Sequence, residues 1–391
     1  MKASAFVYPW DVNGDPEAPD RIAGLGVAQV TLAAAYHSTR ALTPRHPAHR
    51  VVTAEYAAVL YPPGDRWAGR GLRPYPAGRW APGNACGRAA EALAGAGLEV
   101  HTWVVLAHNS RMGAEHPDTS VVNAYGDRYP WAPCIAQPGT RAYLVDLAAE
   151  AAVRPGARGT ELESCGWYGL QHLHAHDKTG GVRLGDAGQY LMSLCFCPSC
   201  RTGYGEHGLG ADALAAAVRT ALEPLWRGTA ADEGPPTVGK LLGEDTAAAV
   251  LAWRERAART LQEDAVAAVR AAAPAGFQVL LHADPASHHC GANVGVDPAH
   301  ILSVADGVVV PCTGGTAPLA PFAAQGTDRT VLAANLTVVA GLGGAPGTLA
   351  ADAARARSEG ANELRLYHAG LASDADLAAV REALSSPARH R

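Results

Sequence analysis

Eight short apolar runs recur along this 391-residue chain, and alanine- and leucine-rich stretches of helical character lie between them. The runs read SAFVYPW (4–10), VAQVTLAAAY (27–36), EVHTWVVLAH (99–108), TELES (160–164), FQVLLHAD (277–284), DGVVVPC (306–312), TVLAANLTV (330–338) and ELRLYHAG (363–370). Most are continuous rather than alternating, as befits strands covered on both faces. The helical stretches include ACGRAAEALAGAG (85–97), TRAYLVDLAAEAA (140–152), AAVLAWRERAARTLQEDAVAAVRAAA (248–273), TLAADAARARSEG (348–360) and DADLAAVREALSS (374–386). A strand that pairs parallel with its predecessor needs a crossover, usually a helix. Eight such units predict an α/β fold, a (β/α)8 TIM barrel. The competing arrangement, an open doubly wound sheet, lacks a Gly-x-Gly-x-x-Gly after the first run to form a dinucleotide site.

The barrel is expected to occupy residues 1–391 as one domain, with loop insertions at about 37–84, 109–139 and 165–247. Long insertions are normal on the side of a barrel where strands hand over to helices, which is also where active sites lie. With 48% hydrophobic residues there is ample material for a large core. A net charge of −5 gives no reason to expect nucleic acid or an anionic membrane as partner. The N-terminus, MKASAFVYPWDV, lacks the apolar core of a secretory signal. No stretch offers the ~20 apolar residues of a membrane span, so a cytoplasmic, soluble protein is expected. Homo-oligomer formation is left open by the sequence.

Three of the eight cysteines fall together in CFCPSC, as Cys195, Cys197 and Cys200. A single buried cysteine is often only a small hydrophobe, but three at this spacing bring their thiolates within reach of one ion. A tetrahedral zinc site needs a fourth ligand from elsewhere. Cys134, Cys165, Cys86 or a nearby histidine are the candidates. Four thiolates would leave no open position for water, so the site would be structural.

The order APCIAQPGTRAYLVDLAAEAA (132–152), a short strand ending in glutamate, a loop, and CFCPSCRTGYGEHG (195–208) resembles the zinc-bearing β-galactosidases of glycoside hydrolase family 42. The resemblance implies Cys134 as the fourth zinc ligand and Glu163, closing the fourth strand, as the acid/base glutamate. Two departures stand out. Leu162 occupies the place of an asparagine, and Asn335 stands on the seventh strand where that family keeps a nucleophilic glutamate.

Catalytic groups of a barrel sit at the C-terminal ends of its strands. Reading round the rim gives Trp10 and Asp11, Tyr36 and His37, His108 and Asn109, Glu161 and Glu163, His282 and Asp284, Cys312, Asn335, and Tyr367 and His368. Such a ring of polar and aromatic groups suits a carbohydrate substrate, although any one member could simply cap a strand. Glycosidic hydrolysis uses two carboxyl groups, ~5–5.5 Å apart for retention or ~6.5–9.5 Å for inversion. Glu163 is the expected acid/base. Alternation puts Glu161 one step deeper on the same side, as a pocket residue or as a partner tuning Glu163. Asp284, on the neighbouring strand, is the expected second carboxylate, ahead of Asp11. Trp10, Tyr36, Trp167 and Tyr367 would stack on sugar faces.

The loop after Glu163, SCGWYGLQHLHAHDK, carries His172, His174 and His176, then Asp177 and Lys178. It could form a second, open metal site, line sugar subsites through Trp167, His174, His176 and Lys178, or be plain surface. His288, His289 and Cys290 form a lesser cluster. The best reading is hydrolysis of a small glycoside or oligosaccharide. The rivals are a metal-dependent isomerase, lyase or hydrolase, and a non-catalytic carbohydrate-binding barrel.

Overall fold

The computed structural model describes residues 1–170, 177–228 and 237–385. Each of the eight apolar runs forms a strand: β1 (Lys2–Val7), β2 (Gln29–Tyr36), β3 (Glu99–Val105), β4 (Gly159–Glu163), β5 (Gln278–Asp284), β6 (Gly307–Pro311), β7 (Val331–Thr337) and β8 (Glu363–Tyr367). Each pairs parallel with the next, and β8 pairs with β1, so the sheet closes on itself as a (β/α)8 barrel.

Strands β1, β3 and β8 each end three residues short of their apolar runs. Pro9 has no N–H to give the ladder, and a four-residue helix, Pro9–Val12, starts there. Trp10 and Asp11 therefore leave the rim. On β3 the chain departs after Val105, and Asn109 becomes the N-cap of helix Ser110–Glu115, its Oδ1 accepting from the Met112 N–H at 3.0 Å.

The outer layer follows the alanine-rich stretches, as helices Ala85–Gly95, Pro138–Ala152, Glu244–Ala272, Leu349–Ser358 and Asp374–Ser385. The longest buries Val250, Trp253, Arg254, Ala257, Ala258, Leu261, Gln262, Ala265, Val266 and Val269. That spacing of three and one is the stripe of a helix with one face on a core, and it packs beside Pro138–Ala152. Leu261 is wholly buried in this seam; truncating it to alanine would cost about 2–5 kcal/mol.

The insertions leave from the C-terminal ends of strands. After β2 come an antiparallel hairpin, Thr39–Leu42 with Val51–Ala54, and the short strand Ala58–Val59, which pairs with the end of β2. After β3 comes the hairpin Ser120–Val122 with Arg128–Pro133. After β4 come helices Gly185–Met192, Pro198–Glu206, Ala211–Trp226 and Val238–Leu242. His172, His174 and His176 lie outside the described residues.

The lumen is filled in layers by the inward set of each strand. Deepest is a polar net. Arg365 on β8 donates Nε to Glu161 Oε1 at 2.5 Å and Nη1 to Glu363 at 2.8 Å. Thr31 also donates to Glu161 Oε1, at 3.0 Å, and shares a hydrogen bond with Ser4. Above this net, Phe6 and Trp103 meet edge-to-face at 4.7 Å and close the lumen from below. On β2, a bulge between Ala33 and Ala35 adds one residue to the strand. That shift turns Tyr36 inward, where strict alternation would have turned Ala35.

Candidate active site

Above the Phe6–Trp103 plug the barrel opens into a cavity of about 680 Å³. Its floor and walls include Tyr8, Tyr36, Trp103, Glu163, His282, Asn335 and Tyr367. The hairpin after β2 contributes Thr39, Arg40 and Leu42 to one wall, and the segment after β7 contributes Val339 and Leu342 to another. Leu42 and Leu342 are 60% and 55% exposed, so the mouth has an apolar lip on both sides.

Glu163 is the single carboxylate lining this cavity among the described residues. It is 8% exposed, and the Trp103 indole N–H donates to its Oε2 at 2.8 Å. Its Oε1 has no hydrogen-bond partner among the described residues, so that oxygen is left for a ligand. His282 lies between the two glutamates of β4, with Nδ1 4.0 Å from Glu163 Oε2 and Nε2 3.4 Å from Glu161 Oε2. Ser164, directly after Glu163, holds a left-handed backbone (φ 55°). An L-residue adopts that conformation only when its surroundings enforce it. Here its N–H is fixed on the Ala292 carbonyl, and its carbonyl accepts from Ala107.

Three phenols face Glu163 across the cavity. The Tyr8 hydroxyl donates to that of Tyr36 at 3.0 Å, and Tyr36 packs on the Trp103 ring at 4.5 Å. Burial pushes both phenols far above their ordinary range, so they are neutral hydroxyls. Asn293 and Asn335 line the same cavity, and each has a buried Oδ1 without a partner among the described residues. A buried acceptor left unpaired is costly, which makes these two oxygens candidates to receive donors from a ligand.

Six of the expected rim residues meet at this cavity: Glu163, Tyr36, His37, His282, Asn335 and Tyr367. The others are engaged elsewhere. Glu161 is completely buried below the cavity. Burial alone would raise its pKa, but Arg365 and then His282 outweigh that and take it down to about 2. It is a fixed anion, not a pocket acid. Asp284 turns back on its own loop, accepting from the Ala286 N–H at 2.8 Å with His289 4.0 Å away. Asp11 accepts from the Tyr8 N–H at 2.8 Å and lies under Gly370, where a Cβ would fall 1.8 Å from its Oδ2. Burial raises the Asp11 carboxyl to about 7, but it does not reach the cavity.

Trp10 is 3% exposed behind Tyr8, stacked on it at 4.6 Å. Trp167 is buried too, its N–H given to the Arg254 carbonyl at 2.9 Å and its face to the Arg254 guanidinium. Neither has a face free for a sugar. His108 stacks on Tyr168 at 4.4 Å and bonds the Trp131 carbonyl. His368 is wholly buried against Tyr8, its Nδ1 accepting from the Gly370 N–H. Burial lowers its pKa to about 3, which keeps it neutral. Lys178 is exposed and does not line the cavity. Tyr8 and Trp103 were missed. Both lie two residues beyond an inward neighbour, Phe6 and His101, so counting by twos from the lumen would have found them.

The four sulfurs of Cys134, Cys195, Cys197 and Cys200 lie within 4.8 Å of one another, all buried. Cys134 is 3.6 Å from both Cys197 and Cys200. Tetrahedral Zn–S bonds of about 2.3 Å would place sulfurs roughly 3.8 Å apart, so the donor set fits a metal ion. Cys86 and Cys165 stand apart as buried thiols raised to about 12 by burial. The cluster joins the hairpin after β3 to helix Pro198–Glu206. Three residues before Cys134, Trp131 ties that hairpin to His108, Asn109 and Gly169. The cluster thus braces the loops following β3 and β4.

No protein-family model matches the sequence, and no curated protein is similar to it. Solved structures share the fold. One is α-L-fucosidase isoenzyme 2 from Paenibacillus thiaminolyticus, at TM-score 0.58 and 11% identity, over 98% of this chain and 49% of that one. Another is the PgaB (BpsB) glycoside hydrolase domain from Bordetella bronchiseptica, at 0.54 and 17%, over 99% of each chain. A third is the β-galactosidase from Bacillus circulans sp. alkalophilus, at 0.52 and 11%, over 94% of this chain and 50% of that one. The chain thus spans about half the length of the fucosidase and the β-galactosidase. At these identities the likeness is one of fold. No helix among the described residues is long and apolar enough to cross a membrane.

Proposed function

We propose that the chain is a glycoside hydrolase acting on a small glycoside or oligosaccharide, with Glu163 as general acid/base. The observation that carries this reading is the setting of Glu163. It alone among the acidic rim groups lines the cavity, with one oxygen fixed by the Trp103 N–H and the other without a hydrogen bond among the described residues. A general acid must reach the leaving oxygen while its own carboxyl is held still, and a cavity-lining carboxyl fixed by an indole N–H supports that role. The tyrosines and asparagines around it suit the hydroxyls and ring faces of a sugar. The fold shared with a fucosidase, a β-galactosidase and a glycoside hydrolase domain supports the same reading.

The test is turnover of a panel of chromogenic glycosides by the wild type and Glu163→Gln. Loss of ~10²–10⁴-fold in kcat is expected; unchanged turnover would sink the assignment. A non-catalytic saccharide-binding barrel is the second reading, favoured by Asn335 standing on β7 without a carboxylate beside it. It requires saccharide binding with no turnover, indifferent to Glu163→Gln.

We further infer that Cys134, Cys195, Cys197 and Cys200 hold a structural Zn²⁺. A closed tetrathiolate supplies folding energy and has no open position for chemistry. Elemental analysis should give about one zinc per chain, and a second metal required for turnover would instead favour the metal-dependent rival.

A further inference from the structure

We propose that the nucleophile at the anomeric carbon is the substrate's own amide oxygen, so that the substrate class is a β-linked 2-acetamido-2-deoxyhexoside. This rests on Glu163 being the general acid. A retaining reaction needs a second group close to C1, usually another carboxylate. Among the described residues, the other acidic groups around the lumen are engaged elsewhere. Glu161 and Glu363 are tied to Arg365, Asp284 to its own loop, and Asp11 to the Tyr8 backbone under Gly370. The segment 171–176, QHLHAH, contains no acidic residue. The phenols of the cavity do not replace a carboxylate, because burial keeps them protonated.

The cavity also offers what an acetamido group would use. Asn293 and Asn335 present buried Oδ1 acceptors without partners, and an amide N–H is a donor that fits them. The phenols of Tyr36 and Tyr367 can donate to the amide oxygen and orient it toward C1.

In the first step the acetamido carbonyl oxygen attacks C1 as the C1–O bond breaks, and the leaving oxygen takes the proton from the Glu163 carboxyl. The products are an oxazolinium ion, the free alcohol and the Glu163 carboxylate. In the second step water adds to C1 and gives a proton to Glu163, while the ring's C1–O bond opens to restore the acetamide. The sum is hydrolysis with retention. The amide must lie trans to the leaving group to reach C1, which in gluco and galacto sugars means a β linkage.

The experiment compares 4-nitrophenyl β-glycosides of N-acetylglucosamine and N-acetylgalactosamine with those of glucose and galactose, using the full chain. An intramolecular nucleophile should favour the acetamido sugars by ~10³-fold or more in kcat/KM. The N-trifluoroacetyl analogue, with a less nucleophilic carbonyl, should react at least about tenfold more slowly. The first-formed sugar should be the β anomer by NMR, and Glu163→Gln should abolish all of this. Cleavage of plain hexosides as fast as acetamido sugars, an inverted product, or indifference to trifluoroacetylation would overturn the proposal while leaving Glu163 as the acid. So would a covalent glycosyl adduct trapped on any carboxylate of the chain. Turnover of no glycoside, or turnover unaffected by Glu163→Gln, would remove the reading of Glu163 and this inference with it.

Discussion

Glu161 and Glu163 stand two residues apart on β4 and point into the same lumen, yet their surroundings give them opposite roles. Glu161 is fully buried and ionised, held by Arg365 and Thr31 and approached by His282. Glu163 is held at one oxygen by Trp103, and the residue lines the cavity. One step along a strand, about 6.6 Å, separates a carboxylate that holds the barrel together from one that lines the cavity, where we propose that it exchanges a proton. The difference lies in the neighbours: a guanidinium in the lower layer, an indole and phenols in the upper. A buried charge with a matched partner is locked in place.

Swapping the two substitutions is the sharpest way to break this contrast. Glu163→Gln should lower turnover by ~10²–10⁴-fold and leave unfolding free energy within about 0.5 kcal/mol, since a carboxamide still accepts from Trp103. Glu161→Gln should do the reverse in kind. Removing one of the two carboxylates that hold the buried Arg365 should cost about 2–3 kcal/mol, read as an earlier urea midpoint. Equal losses of stability in both variants would erase the distinction.

The acid side of the stability curve probes the same pair. The folded pKa of Glu161 lies near 2, below its ordinary 4.5. Its contribution is therefore complete above about pH 4.5 and is lost as the pH falls toward 2. In Glu161→Gln that portion of the acid limb should flatten. A smaller effect is expected at the metal cluster. Cys200→Ser should bring zinc content toward zero and cost about 1–3 kcal/mol, detected by elemental analysis and thermal unfolding. The smallest is Trp103→Phe, which removes the donor to Glu163 together with part of a ring packed in the lumen. A loss of about 1 kcal/mol, or roughly fivefold in kcat, is expected, and an unchanged pH–rate profile would show that the indole N–H does not matter.

The barrel was legible because its eight strands and main helices are long runs of one character, and a parallel sheet with helices on its outside leaves few alternatives. The place of Glu163 at the cavity was legible for the same reason, as the last residue of a short strand. That Asp284 would not join it there was not. Asp284 closes β5 as plainly as Glu163 closes β4, but its side chain satisfies the turn that follows it. Nothing in FQVLLHAD announces that turn. Trp10 and Asp11 were misplaced because Pro9 starts a helix inside an apolar run. Tyr36 enters the cavity through a bulge, a shift that exists only once two strands are paired.

The sequence by itself determined the strand count, the helical outer layer and the cysteine spacing, because these follow from local periodicity and short-range order along the chain. Only the tertiary structure decided which inward residues are buried partners and which line the cavity. That choice depends on what stands across the lumen: Arg365, 204 positions from Glu161, and Trp103, 60 positions from Glu163. Charge pairing and desolvation act through space, and closing the barrel is what brings those groups together.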